Sequence, residues 1–264
     1  MFIKFKLIVI SLCLSLFIGC KTKQEKIVPT EKWVSLFNGK DLNDWIVKIK
    51  GHPTGENYKN TFIVEDGLLK VNYKEYNDVF NNTFGHIFYN KEFSNYKLRL
   101  QYRFTGKQLS DGEGWATANN GVMIHCEDPK NMALNQDFPV SIEVQLLGGS
   151  GTEERPTGNV CTPGTHITLH GEKTTQHCMP SNSKTYNANQ WVNLEIEVHN
   201  DSLITHRING VEVLNYSKPI IGGGAGAHED YWNAREGNPL KKGFISLQSE
   251  SQSTEFKNIE ILEL

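Results

Sequence analysis

One segment of the chain combines a carboxylate and an amide at a spacing that suits work on a polar substrate. Polar and aliphatic residues alternate in Ser141-Ile142-Glu143-Val144-Gln145-Leu146, which is the period of a half-buried strand. Glu143 and Gln145 therefore lie on one face and the aliphatic residues on the other. A carboxylate can exchange protons, and an amide can both donate and accept hydrogen bonds. The segment predicts a sheet face that binds hydroxyl groups and moves a proton.

Two further strands offer side chains of the same kind. His125 alternates with Ile124 and Cys126, and Gln248 alternates with Leu247. Imidazole and amide groups suit sugar hydroxyls, which need paired donors and acceptors, whereas a merely solvated face more often carries Lys and Glu. We therefore expect the three strands to present these groups on the face that is not aliphatic. An ordinary solvated sheet face is the alternative.

Histidines supply further candidates for proton transfer and metal binding. His166 and His170 are four positions apart in a predicted strand, a separation of about 13 Å that is too long for one metal ion. A metal site would therefore combine one of them with ligands from other segments. We predict His166, His177 and Glu143 as candidate ligands of one divalent metal ion of unknown identity. Glu143, His125 and His166 are the candidates for the general base.

The composition describes an ordinary folded chain with a small negative charge. The 264 residues are 38% hydrophobic and 22% charged, which excludes a disordered protein. The 27 Lys and Arg residues against 30 Asp and Glu residues give a net charge of -3. A protein that neutralises phosphate groups would be basic. We expect no nucleic-acid partner.

The first residues have the pattern of an export signal. Lys4 and Lys6 precede an apolar stretch that ends before Gly19-Cys20, a layout that resembles a bacterial lipoprotein signal. The stretch is about twelve residues long, whereas a membrane-spanning helix needs roughly 20. We predict a signal peptide over residues 1–19, lipidation of Cys20 and a polar tether over residues 20–30. The expected location is exported and membrane-anchored through the lipid alone, facing the periplasm rather than the cell surface.

Three cysteines remain in the mature chain, and an exported protein can form disulfides. Cys161 and Cys178 flank a compact segment and are the predicted pair, which leaves Cys126 free. Zinc ligation is the alternative, but the sequence contains no CxxC spacing to support it.

The remainder of the chain has the alternation of antiparallel β-structure. Asn209-Gly210 joins two alternating segments and predicts a hairpin with a type I′ turn. About ten strands without intervening helices exclude βαβ folds and predict an all-β sandwich or barrel. We expect one domain over residues 31–264. The predicted strands are 61–64, 68–73, 96–104, 121–126, 141–147, 166–170, 192–198, 203–208, 211–216, 243–249 and 254–262.

Four motifs together carry a family resemblance. They are the "LFNGKDLxxW" opening at residues 36–45, Asn119-Asn120-Gly121-Val122, Ile142-Glu143-Val144-Gln145-Leu146, and a closing pair at residues 243–248 and 256–259. With them the chain resembles the 3-keto-disaccharide hydrolase family over about residues 33–264. The resemblance implies a concanavalin A-like jelly roll of two antiparallel sheets, one of them facing the sugar. It also implies an oxidised carbohydrate substrate, supplied by a separate sugar 3-oxidoreductase.

The chemistry of an oxidised carbohydrate substrate explains why the sequence lacks two of the acids that a glucanase uses. Ordinary glycoside hydrolysis uses two carboxylates, which jelly-roll glucanases supply from an ExDxxE strand, and the segment after Glu143 lacks the second and third acids. A ketone at C3 acidifies the C2 proton, so one base can start β-elimination of the C1 group, and water then adds to the enone. We predict net hydrolysis of 3-keto-glycosides in this way. The predicted substrate-binding residues are Gln145, Gln248, Asn120 and Trp115.

A noncatalytic, lectin-like glycan-binding lipoprotein is the alternative function, because fold does not fix function. Trp115 and Trp232 lie in predicted loops and are the available stacking groups for it. A conventional glucanase is disfavoured by the missing acids.

Overall fold

Alternating aliphatic side chains build two antiparallel sheets. The computed structural model describes residues 1–2, 31–149, 151, 153–223 and 229–264. Lys32–Leu264 forms one compact unit. The predicted signal peptide, Cys20 and the tether lie outside the described residues. The helices formed by the described residues are all too short or too polar to cross a membrane.

The larger sheet has ten strands in the order β11-β10-β15-β14-β13-β6-β17-β4-β3, with β1 paired to β17. Strands are numbered in chain order, and those of this sheet are β1 (Val34–Ser35), β3 (Phe62–Glu65), β4 (Leu68–Val71), β6 (Asn95–Phe104), β10 (Thr165–Leu169), β11 (Glu172–Thr174), β13 (Val192–His199), β14 (Leu203–Ile208), β15 (Val211–Ile221) and β17 (Thr254–Glu263).

The smaller sheet has seven strands in the order β12-β9-β8-β7-β16-β5-β2. Its strands are β2 (Trp45–Ile49), β5 (Gly85–Tyr89), β7 (Asn119–Cys126), β8 (Ile142–Leu147), β9 (Asn159–Cys161), β12 (Cys178–Met179) and β16 (Phe244–Ser249). Helical structure is limited to α1 (Glu229–Asn233) and 3₁₀ turns at Tyr58–Asn60, Gly114–Ala116 and Pro129–Asn131 in the described part of the chain. The predicted sandwich of two antiparallel sheets is confirmed.

The hydrophobic core lies between the two sheets. Leu98 and Ile196 of the larger sheet and Val122 and Val144 of the smaller one are fully buried in one cluster. We call the face of the smaller sheet that points away from this core its outer face. The predicted hairpin is also present, because Asn209 and Gly210 both have the positive φ that a type I′ turn requires.

Strands β2 and β5 are not predicted from the sequence, because both faces of these strands are buried. Phe88 of β5 packs on the outer face with Met123, Cys126 and Met132 in a second small cluster, and Ile46 of β2 packs against that cluster. A strand that is covered on both sides has no alternation of polar and apolar residues. The sequence signal of a half-buried strand is therefore absent from these segments.

Strand β7 carries a β-bulge opposite β16. Phe244 pairs with Cys126 and Ser246 pairs with Met123, so β7 uses one residue more than β16 over the same length. His125 lies in this bulge with a φ of 52°. A bulge ends the strict alternation of side chains between the two faces.

Gly243 should be essential for this bulge. A Cβ atom at position 243 would lie 2.4 Å from the carbonyl carbon of His125 and 2.5 Å from the oxygen of Cys126. We predict that Gly243→Ala lowers the free energy of unfolding by about 1–3 kcal/mol, because neither backbone atom can move without breaking the β7–β16 pairing. Urea denaturation measures this effect. Gly114→Ala is the control, because a Cβ there meets no atom within 4 Å. Equal destabilisation by both variants would contradict the prediction.

Candidate functional site

A cavity of about 380 Å³ opens on the outer face of the smaller sheet. Strand β8 supplies Glu143 and Gln145 to it, on one face as predicted, and Glu250 enters from the turn directly after β16. Loops contribute the remaining walls. The lining residues are Trp115, Asn119, Phe138, Glu143, Gln145, Cys161, His177, Cys178 and Glu250.

The carboxyl group of Glu143 lies over Gly121 of β7. A Cβ atom on Gly121 would be 2.7 Å from Oε1 of Glu143 and 2.9 Å from Oε1 of Gln248. Gly121 therefore leaves the space that the Glu143 carboxyl occupies beside the Gln248 amide. Nε2 of Gln248 in turn donates a hydrogen bond to Oε1 of Glu250 over 2.7 Å. The Gln248 amide thus has a carboxyl group on either side.

Burial changes the acidity of both carboxyl groups. Glu143 is 7% exposed and Glu250 is 2% exposed. Desolvation raises the pKa of Glu143, and it raises the pKa of Glu250, which the nearby charge of Glu143 raises further. A pair of this kind holds on to a proton at pH values where solvated carboxyl groups have lost theirs. The cavity therefore contains a group that can accept a proton and a group that can donate one.

Two polar atoms of the cavity wall lack partners within the described residues. Oδ1 of Asn119 and Oε2 of Glu250 are buried, and neither accepts a hydrogen bond from this part of the protein. Both belong to residues that line the cavity. Buried acceptors without partners are destabilising unless water or a ligand donates to them. The wall is therefore suited to a ligand that carries hydroxyl groups.

Aromatic rings form one side of the cavity. Trp115 is 52% exposed, and its ring stacks on Phe84 at a centroid distance of 6.0 Å with an angle of 12° between the ring planes. Phe138 lies 5.1 Å from the same Phe84 ring. Phe84 therefore holds Trp115 in place while much of the indole surface stays available to a ligand.

The wall on another side contains a disulfide bond. Cys161 and Cys178, the predicted pair, are joined in the structure, and Cys126 is free and buried. The bond connects paired strands β9 and β12. The backbone nitrogen of Thr162 also donates to the carbonyl oxygen of His177 over 2.9 Å. These contacts fix His177 at the cavity.

The prediction that Asn120 and Gln248 bind the substrate is wrong, because both side-chain amides are buried and do not line the cavity. Asn120 points toward the core, where its Nδ2 donates to the backbone oxygen of Gln248 at 2.7 Å and to Oγ1 of Thr254 at 3.3 Å. Gln248 is on the outer face as predicted, but it is fully buried and contacts Glu250. Neither side chain has a surface for a sugar hydroxyl.

His125 is not part of the site. The bulge in β7 places Cys126 with Met123 on the outer face, and the Nε2 atom of His125 lies 3.1 Å from the backbone oxygen of Asn200, in the turn after β13. Burial lowers the pKa of His125 to about 4. The prediction that His125 shares a face with Glu143 is therefore wrong, because simple alternation does not account for a bulge.

His166 belongs to the other sheet. It lies on β10, where its neighbour Ile167 enters the core, so His166 points outward from the larger sheet. Its ring packs against Gly222, where a Cβ atom would be 2.6 Å from Cδ2. His166 and Glu143 are therefore on opposite sides of the sandwich, and His166 cannot act as the base in this cavity.

The fold separates one of the three predicted metal ligands from the other two. Glu143 and His177 line the cavity, but His166 does not. Among the described residues, no three His, Cys, Asp or Glu side chains are grouped so that they could hold a metal ion. The predicted trio does not form a metal site.

Sequence reasoning missed Glu250, although a signal for it exists. Ser246 and Gln248 alternate on the outer face of β16, and continuing this period by one step reaches Glu250. The step crosses the end of the strand, where alternation no longer guarantees direction. Asn119 and Phe138 were also missed, and no comparable pattern identifies them.

The family model for the 3-keto-alpha-glucoside-1,2-lyase-like domain matches residues 32–262. The chain belongs to this family. The resemblance inferred from the four motifs is thereby confirmed. No sequence match is found among curated proteins.

Solved structures agree with the fold of this family member. Two proteins from Parabacteroides distasonis ATCC 8503, named as candidate glycosyl hydrolases, are similar to the chain. One is 20% identical with a TM-score of 0.52, over 88% of this chain and 100% of the other. The second is 18% identical with a TM-score of 0.51, over 88% of this chain and 94% of the other. At these identities the similarity supports the jelly-roll fold alone.

The carboxyl pair of this 3-keto-alpha-glucoside-1,2-lyase-like domain should make its stability depend on pH. Both pKa values are raised in the folded state, so the folded protein holds more protons than the unfolded chain above about pH 4.3, the ordinary pKa of Glu. Stability contributed by the protonated pair is then present at low pH and lost as the pH rises, by up to about 1.4 kcal/mol per pH unit for one proton.

We predict that Glu143→Gln, which removes a buried acid with a raised pKa, flattens this decline. Urea denaturation from pH 5 to pH 9 provides the measurement. Glu172→Gln, at an exposed position on β11, is the control and should keep the wild-type slope. Identical slopes of unfolding free energy against pH for all three proteins would show that the folded state does not raise the pKa of the Glu143 carboxyl group.

Proposed function

We propose that the protein cleaves 3-keto-glycosides in this cavity, with net hydrolysis of the C1–O bond. The observation that carries the proposal is the pair of buried carboxyl groups, Glu143 and Glu250, in one cavity with raised pKa values. Membership of the 3-keto-alpha-glucoside-1,2-lyase-like family supports the substrate class.

The reaction needs one acceptor and one donor of protons. A carboxylate removes the C2 proton, which the C3 ketone acidifies, and the electron pair forms the C1=C2 bond as the C1–O bond breaks. The departing oxygen takes a proton from the other carboxyl group. Water then adds to C1 of the enone and a proton returns to C2. A carboxyl pair that keeps one proton supplies both functions without any further titrating group.

Substrate binding follows from the cavity walls. Trp115 offers a flat surface for the apolar face of a sugar ring. Gln145, whose Oε1 accepts a hydrogen bond from Nδ2 of Asn159 at 3.0 Å, keeps an NH₂ group for a hydroxyl oxygen. Oδ1 of Asn119 accepts from a hydroxyl group. These three side chains would bind the ring while the carboxyl pair acts on C2 and on the leaving oxygen.

The cellular setting is part of the proposal. The N-terminal pattern supports export and attachment to the membrane through a lipid on Cys20. The substrate must come from a separate oxidoreductase that converts the C3 hydroxyl of a glycoside to a ketone.

Conventional glycoside hydrolysis is the second candidate, because Glu250 provides the second acid that the β8 sequence lacks. Such a reaction needs no ketone, so it acts on unoxidised sugars. A lectin-like function would show binding to either sugar without turnover.

We predict turnover of 3-keto-glucosides by the purified chain and none of the parent glucosides. With a 3-keto-disaccharide, whose leaving group needs protonation, Glu143→Gln and Glu250→Gln should each lower kcat by about 10²–10⁴-fold, because each removes one partner in proton transfer. Glu172→Gln is the matched control and should keep full activity. Product release measured by chromatography decides the result.

The same assay tests the alternatives. Activity on the parent glucosides would support conventional hydrolysis, and inactivity on every substrate would overturn the proposed enzyme. A parallel series with EDTA tests the predicted divalent cation. Loss of activity with EDTA and its recovery on adding a divalent metal would support that cation, whereas unchanged activity would count against it.

Trp115 should contribute to binding rather than to chemistry. We predict that Trp115→Ala raises KM for a 3-keto-glucoside about tenfold and changes kcat little, because stacking contributes about 0.5–1.5 kcal/mol. Tyr231→Ala, at an exposed aromatic residue outside the cavity, is the control and should leave both constants unchanged. A fall in kcat at constant KM would contradict this role for Trp115.

A further inference from the structure

The side-chain amide of Gln248 connects the two carboxyl groups but does not line the cavity. It is fully buried, and its Nε2 atom donates to Oε1 of Glu250 over 2.7 Å. Its Oε1 atom is buried and has no hydrogen-bond partner within the described residues. A buried amide that uses only its donor end requires an explanation.

A candidate partner is the carboxyl group of Glu143, which lies over the same glycine as the Gln248 amide. The Oε1 atoms of Glu143 and Gln248 lie 2.7 Å and 2.9 Å from one point above the Cα atom of Gly121. An ionised Glu143 would place a second acceptor and a negative charge near this unpartnered oxygen, which is unfavourable in a buried site. A protonated Glu143 carboxyl group can instead donate its O–H to the amide oxygen.

The donor end of the amide has the opposite effect on Glu250. An N–H group directed at a carboxyl oxygen stabilises the ionised form, and a protonated Glu143 has no charge with which to raise the pKa of Glu250. Oε1 of Glu250 is held by this bond, while its Oε2 atom is buried without a partner in the described part of the chain. The lone pairs of Oε2 are therefore unused by the described part of the protein, and Glu250 lines the cavity.

The neighbouring titratable groups do not oppose this assignment. His86 pairs with Gln248 across β5 and β16, and burial lowers the pKa of His86 to about 3, so its ring is neutral. Nζ of Lys48 donates to the backbone oxygens of Ile49, His52 and Leu134. Burial raises the pKa of Tyr73, beside the turn after β16, so Tyr73 is also neutral. His177 is exposed at the cavity wall.

We propose that Gln248 is a positioning residue that fixes the proton on Glu143 and leaves Glu250 ionised, which makes Glu250 the base and Glu143 the acid. The assignment rests on the proposed function for its chemistry, and it replaces the expectation that Glu143 is the base.

The proton balance of a full cycle closes without another reactant. Glu250 takes the proton from C2, and Glu143 gives its proton to the departing oxygen as the C1–O bond breaks. When water adds to C1, Glu143 takes a proton from that water and Glu250 returns its proton to C2. Both carboxyl groups then have their starting charges, and only water has been consumed.

The leaving group distinguishes the acid from the base. A 4-nitrophenolate departs without protonation, whereas a sugar alcohol needs an acid. We expect Glu143→Gln to lower kcat/KM for a 3-keto-disaccharide by about 10³-fold but for 4-nitrophenyl 3-keto-glucoside by less than about tenfold. Glu250→Gln should lower both to a similar extent. The reverse pattern would overturn the assignment.

Gln248→Met tests the positioning role itself, because Met has a similar length and makes no comparable hydrogen bonds. We expect its kcat to fall about tenfold or more with little change in KM, and the pH profile of kcat/KM to shift. Gln101→Met, on the larger sheet, is the control for folding and should match wild type. An unchanged pH profile in a folded Gln248→Met variant would count against the role of Gln248.

Infrared spectroscopy locates the proton directly, so it tests the assignment of Glu143 and Glu250 independently of the proposed reaction. Burial raises the pKa of Glu127 to about 7, so Glu127 contributes a protonated C=O band to every variant at neutral pH. In substrate-free protein, the spectrum of wild type minus that of Glu143→Gln should contain an additional protonated C=O band, which Glu250→Gln retains. Loss of the band in Glu250→Gln alone would overturn the assignment. If the predicted bands are seen but no 3-keto-glycoside is cleaved, the proposed function fails while the proton assignment stands.

Discussion

The structure depends on keeping two carboxyl groups out of water on the outer face of a sheet. An exposed strand would leave Glu143 and Glu250 solvated and ionised, as ordinary surface acids are. The loops around Trp115 and Phe138 and the disulfide-linked strands β9 and β12 cover that face instead. The core between the sheets holds the strands in place, but this second covering layer is what raises the pKa values.

The backbone near Glu143 and Glu250 adopts the conformation that their placement requires. Gly121 provides the space for Glu143, and the turn after Glu250 contains Ser251 with a φ of 80°, a conformation that is rare outside glycine. The backbone nitrogen of Ser251 donates to the hydroxyl oxygen of Tyr73 at 2.9 Å, and its backbone oxygen accepts from the nitrogen of Leu109 at 3.0 Å. Strained residues held by several partners are typical of sites that need exact placement of a side chain.

Sequence reasoning succeeded where one rule governs the structure and failed where several act together. Alternation placed Glu143 and Gln145 on one face because β8 is regular and covered by core on one side only. It failed for His125 because a bulge requires knowledge of the partner strand. It failed for His166 because the period of a strand does not reveal to which sheet the strand belongs. Asn120 and Gln248 had the expected residue types, but only packing shows that their amides bond within the protein.

A pair of buried acids suits a ketone substrate better than an ordinary glycoside. A retaining glycosidase needs an ionised nucleophile, and burial without a counter-charge works against ionisation. Removal of a proton from carbon makes a different demand, because a base becomes stronger as the pKa of its conjugate acid rises toward that of the carbon acid. In the proposed reaction, a C3 ketone would lower the pKa of the carbon acid, and desolvation raises the pKa of the carboxyl groups, so the difference between the two pKa values becomes smaller from both sides. The same burial that would weaken a glycosidase nucleophile therefore strengthens the base that an elimination requires.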